Sequence, residues 1–164
     1  MRESDKVKNS IFLMVGILAG ICIGAVSCGH FMIIDMKKKA EWADKQLSVA
    51  QMLNQWLSVK QQKKSISAYL YSHGYRKVAI YGMNYLGERL LSELKDSEVQ
   101  VLYVIDNNTK SVTPDIRFCT PDDLLEKVDA IIVSVNYYYD EICKNLSEKV
   151  DYPIINLENI LFDM

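Results

Sequence analysis

The chain has 164 residues, 49% of them hydrophobic and 24% charged, with a net charge of −2. That length allows one domain plus an appendage, and the apolar content excludes a disordered tail. The charge balance excludes a chain whose main task is gripping phosphate backbones, so no nucleic-acid partner is expected. Four cysteines without a dense spacing pattern exclude a disulfide scaffold.

Residues 1–10 read as an N-terminal tail. Residues 11–34 contain no Asp, Glu, Lys or Arg. At ~1.5 Å per residue, a helix of that length reaches across a hydrocarbon core of ~30 Å, so a transmembrane helix in contact with membrane lipid is expected. His30, near one end, reaches the interface. A cleaved leader would have a shorter apolar core. Ala25-Val26-Ser27-Cys28 looks faintly like a lipoprotein cleavage box, but the run continues past it through Phe31, Met32, Ile33 and Ile34. Gly16, Gly20 and Gly24 fall four apart on one helix face, the spacing that lets two membrane helices approach closely. A homo-oligomer through these glycines is expected; a chance row, glycine being common in such helices, stays open. Lys37, Lys38, Lys39 and Lys45 outnumber the three basic residues before the span. The positive-inside rule then gives a single-pass protein of the cell membrane with a cytoplasmic C-terminal domain.

Residues 35–73 show no strand pattern and read as an amphipathic helical stalk or linker. Trp42, Val49 and Trp56 repeat at seven, and a break is expected near residues 60–64. Such a helix either packs on its own domain, lies at a membrane surface or pairs in a dimeric stalk. A second short helix over 65–73 ends at Gly74. Residues 35–77 hold nine Lys/Arg against three acids, whereas residues 78–164 hold seven against sixteen. A basic segment beside a span suits an anionic leaflet; a solvated helix face explains the lysines equally well.

Residues 74–164 alternate strand and helix signals. Strands are expected at 77–81, 99–105, 115–118, 130–135 and 153–157, and helices after 82–87, from the cap sequence Thr120-Pro121-Asp122-Asp123, over 138–149 and through 162. Uncharged strands in this order imply a parallel sheet covered on both faces: a small doubly wound α/β fold of about five strands.

In such folds ligands bind at the carboxyl ends of the strands, and the turn after the first strand is the phosphate position. That turn reads Gly82-Met83-Asn84-Tyr85-Leu86-Gly87. The outer glycines of G-x-G-x-x-G are present and Asn84 replaces the middle one, crowding a pyrophosphate. Asp106 ends the second strand, where a ribose-binding acid belongs. The alternative at this point is that Gly82 serves the turn, Gly87 helix–strand packing and Asp106 a cap. Tyr137, Tyr138 and Tyr139 follow the fourth strand, where they either stack on a base or sugar or simply pack. Neither a metal site nor a catalytic constellation is legible, and Cys119 and Cys143 read as small hydrophobes.

The stretch Gly74 to Gly87, continuing through Val104-Ile105-Asp106 and residues 129–133, resembles the Rossmann-like domains of bacterial polysaccharide-biosynthesis proteins, including short accessory proteins of glycan gene clusters. The resemblance covers roughly residues 50–164. It implies ligand positions at Gly82, Asn84, Gly87, Asp106, Ser134 and Asn136, with NAD(P) or a nucleotide-sugar as the bound group. Asn84 departs from the usual glycine. The function expected is a nucleotide- or nucleotide-sugar-binding module, accessory to surface-glycan assembly and partnered by its membrane proteins. The alternatives are a degenerate scaffold that binds proteins and no small molecule, and a subunit of a sugar-nucleotide-modifying enzyme.

Overall fold

A computed structural model describes residues 2–107, 116–123 and 125–164, with side chains assigned for part of the first helix. The chain divides into two compact units, residues 1–45 and 46–164. Helix α1 (Arg2–Gln61) contains residues 11–34. The expected transmembrane anchor is corrected here: among the described residues no helix is long and apolar enough to cross a membrane, which removes the basis for a single-pass membrane location. A Cβ at Gly16 or Gly20 would meet nothing within 4 Å; the surroundings of position 24 lie outside the described residues.

The second unit is an α/β fold. After α1 come α2 (Ile66–Ser72), β1 (Lys77–Tyr81), α3 (Tyr85–Leu94), β2 (Gln100–Ile105), β3 (Arg117–Cys119), β4 (Ala130–Val133), α4 (Tyr139–Ser147), β5 (Ile154–Asn156) and α5 (Leu157–Asp163). The five strands form one sheet in the order β3-β2-β1-β4-β5, with every pairing parallel. Strand order reverses at β1, which pairs with β2 on one side and β4 on the other. That is the architecture expected, and it creates a switch point between β1 and β4.

Side-chain alternation divides the core in two. Val78, Ile80, Val104 and Ile132 point to one face, covered by α3, α2, α5 and the last turns of α1 through Met52, Trp56 and Val59. Ala79, Tyr103, Ile105, Ile131 and Val133 point to the other, covered by Ile142 and Leu146 of α4 and by Val128. The stalk thus packs on its own domain over 49–59. Glu93 fixes it there. Its carboxylate accepts Trp56 Nε1 at 2.8 Å and the Ile66 amide at 2.9 Å, and pairs with Lys60 Nζ at 2.7 Å. The side chain is only 9% exposed, so these three donors offset the cost of burying its charge. Gln55 Nε2 donates to the Leu161 carbonyl at 2.9 Å, tying α1 to α5.

The helix expected from Thr120 does not form among the described residues. A turn replaces it: Asp123 accepts the Thr120 amide at 2.6 Å and its Oγ1 at 3.0 Å. The reason is reach. The segment between Cys119 and Ala130 returns from the carboxyl end of β3 to the amino end of β4, three strands away, ~14 Å sideways at the usual strand spacing. A helix over the ten intervening residues would rise only ~15 Å, which leaves nothing for the return along the sheet to the amino end of β4. Tyr103 and Tyr152 donate to the Glu126 carbonyl at 2.6 and 3.2 Å instead, pinning an irregular crossover to the sheet.

Candidate functional site

The first strand ends in a tight turn because Gly82 takes φ +91°. Only glycine adopts this without strain. A Cβ at Gly87 would overlap the Gly82 carbonyl oxygen, so α3 lies against the turn with no room for a side chain. Both glycines therefore serve the turn and the helix packing. Asn84 is the N-cap of α3: its Oδ1 accepts the amides of Leu86 and Gly87, each at 3.0 Å. Its Nδ2 donates to the Ser134 carbonyl at 3.3 Å. Buried Ser134 lies 1% exposed and donates through Oγ to the Gly82 carbonyl at 2.8 Å. Asp106, at the end of β2, accepts the Met83 amide through Oδ2 at 2.6 Å.

Five of the six sequence-derived positions therefore meet. Gly82, Asn84, Gly87 and Ser134 form one hydrogen-bonded and close-packed turn, and Asp106 joins it through Met83. Asn136 lies apart from this network: its Oδ1 accepts Asn156 Nδ2 at 2.8 Å, joining β5 to the segment after β4.

Beside the turn, at the switch point, opens a cleft of about 440 Å³. Gly82, Asp106 and Val135 form its sheet side, and Tyr138, Glu141, Asn145 and Lys149 its far wall. Among the described residues the cleft carries two carboxylates, of Asp106 and Glu141. Its ammonium group, on Lys149, is 2.9 Å from Asp122 Oδ1 and donates to the Pro121 carbonyl at 2.6 Å. Burial pushes the Tyr81 hydroxyl pKa above its ordinary value, helped by the charge of Asp106. Burial also holds Tyr139 up at about 12; its hydroxyl donates to the Ile154 carbonyl at 2.9 Å. Of the tyrosine run, Tyr139 is thus a packing residue, while Tyr137 and Tyr138 meet edge to face at 5.4 Å and stay 40% and 46% exposed.

Apart from Tyr138, the far wall of the cleft was not legible as a site in the sequence. Glu141, Asn145 and Lys149 carry a signal all the same: they repeat at four after the fourth strand, placing three polar groups along one stripe. Among the described residues no group of three or more His, Cys, Asp or Glu could hold a metal ion.

Residues 74–155 match a family model described as C2185-like, N-terminal. The match takes in 82 of the 164 residues, half of the chain. The chain belongs to the C2185-like N-terminal family. No curated protein and no solved structure matches it. The C2185-like region begins at Gly74 and ends at Ile155, so it contains the turn, the switch point and every lining residue of the cleft. It leaves out the part of α1 that covers the opposite face.

Proposed function

We propose that this domain is a binding module for a nucleotide or nucleotide-sugar, taken up in the cleft at the β1/β4 switch point. The observation that carries the reading is the cleft itself, placed where strand order reverses, with the Asp106 carboxylate at the end of β2 where hydroxyl pairs of a ribose or sugar are read. Carboxylates and amides suit a polyhydroxylated ligand, and Tyr138 offers an aromatic face. The resemblance to polysaccharide-biosynthesis proteins extends the proposal to a role in surface-glycan assembly.

The test is a thermal-shift screen of the full chain against NAD, NADP, UDP-sugars, CDP-sugars and free nucleosides. A ligand at 100 times its Kd adds ~2.7 kcal/mol, a shift of several degrees for a domain of this size. A shift that disappears in Glu141→Ala, a wall residue remote from the turn network, supports the reading; no shift across the panel overturns it.

A second reading is favoured by Asn84. Its side chain takes the two helix amides that a bound phosphate would use, as in a domain that has given up its ligand for a protein partner. Exposed Tyr85, Tyr137 and Tyr138 lie near the same strand ends and suit such a contact. A folded chain that ignores the whole panel yet is retained by a partner through these tyrosines would establish this alternative.

A further inference from the structure

We infer that Asn84 is a specificity-determining residue that keeps phosphate off the first turn of α3, so that a ligand in the cleft is recognised through its uncharged, hydroxyl-bearing part. The inference rests on the reading of the cleft as a nucleotide or nucleotide-sugar site and names which part of such a ligand is read.

Two independent observations carry it. The first is that Asn84 supplies, within the chain, what a phosphate oxygen would supply from outside. Its Oδ1 accepts both the Leu86 and Gly87 amides at 3.0 Å. The Ser134 carbonyl takes its Nδ2, which fixes the amide plane. Nearer the strand, the amide of Met83 is taken by Asp106 at 2.6 Å. An incoming anion would find three loop donors engaged and a carboxylate beside them.

The second is the charge of the cleft. Among the described residues the Glu141 carboxylate faces it, and the one ammonium of its lining, on Lys149, already pairs with Asp122 at 2.9 Å. A diphosphate there would meet the Glu141 carboxylate and find Lys149 already engaged. A ribose or hexose meets the same groups as hydrogen-bond acceptors for its hydroxyls.

Asn84 has φ −82°, so a residue without its amide is accommodated there with no change of backbone region. Glycine, a good N-cap, leaves the helix start intact and completes the glycine pattern of the turn; alanine frees the same amides and serves as the second variant. The experiment follows the amide resonances of the full chain in ¹⁵N-correlation spectra during titration with inorganic pyrophosphate and, separately, with uridine and adenosine. The expected result is that pyrophosphate leaves Leu86 and Gly87 unmoved in the natural chain and shifts both in Asn84→Gly or Asn84→Ala. Pyrophosphate shifts at Leu86 and Gly87 in the natural chain overturn the inference. So does a lack of shifts in both variants once their spectra show a folded chain. Nucleoside-induced shifts at Asn145 and Glu141 support the reading of the cleft. Their absence counts against that reading alone, because the pyrophosphate arm reports on Asn84 whatever the cleft accepts.

Discussion

The two faces of the sheet are built differently. One is closed by four helical segments, α1, α2, α3 and α5, locked by the shared carboxylate of Glu93. The other has α4 and an irregular crossover held by tyrosine hydroxyls and one lysine. Large apolar side chains, Met52, Trp56, Leu90 and Leu161 among them, fill the first. On the second, two buried α4 residues and Val128 lie over the strands, and the cleft opens where that cover stops. The comparison teaches where this small domain keeps its stability and where it keeps room for a ligand: the helix-rich face stabilises, and the lightly covered face leaves the strand ends accessible.

The sharpest way to break this comparison is Trp56→Ala, which removes an indole 6% exposed and should cost about 3–5 kcal/mol in urea unfolding. If unfolding is unchanged, the closed face is not the seat of stability. Gly87→Ala should follow at about 2–3 kcal/mol, since its Cβ would overlap the Gly82 carbonyl and force α3 away from the turn. Glu93→Gln keeps the shape but removes the charge that Lys60 pairs with and weakens two further acceptors. A loss of about 1–2 kcal/mol is expected, read as a lower midpoint at an unchanged slope.

A smaller effect tests the seam at the amino ends of the strands. Asp129 accepts the amides of Arg76 and Lys77 at 2.7 and 2.8 Å, and these bonds, that from Lys77 foremost, hold its carboxyl below the ordinary 3.8. A depressed folded pKa means that its contribution is present above 3.8 and is lost as pH falls through the lower folded value. Asp129→Asn should therefore unfold more easily at neutral pH and lose less of its stability on acidification below 4, as followed by circular dichroism. The smallest effect belongs to the open face: Tyr138→Ala should change stability by no more than about 0.5 kcal/mol, so any loss of ligand response in that variant reports on the cleft and not on folding.

Much of the sheet was legible in the sequence. Residues 77–81 form β1 as the β-branched run predicts, and β2, β4 and β5 lie where apolar runs place them, because buried parallel strands carry little charge to obscure them; the edge strand β3 overlaps the expected 115–118 in spite of Arg117, residue 115 lying outside the described residues. The start of the crossover misleads for a local reason. Thr120 and Asp123 make the same capping contact that opens a helix, while the demand for an extended path lies in the positions of β3 and β4, which no short window contains. The boundary of the compact unit was hidden in the same way. Periodicity at Val49, Met52 and Trp56 marks an apolar stripe but says nothing of what covers it, and Glu93, the residue that decides, is 37 positions from Trp56. At the site, the turn residues announce themselves through glycine spacing, whereas the cleft wall does not, because polar residues on a helix read as solvated until the fold sets them opposite Asp106.

The bond from Gln55 to the Leu161 carbonyl links positions 106 apart in the chain. On the ribosome this separation becomes time. Met52, Trp56 and Val59 are synthesised well before α5, one of the surfaces that buries them, and at ~5–20 residues per second the wait is ~5–20 s. Through that interval α2, β1, α3 and β2 can assemble from nearby sequence, while the apolar stripe of α1 lacks the cover that α5 supplies. Helix α5 thus completes the cover of α1, and a nascent chain halted before residue 157 presents an incompletely covered apolar stripe to whatever chaperone is at hand.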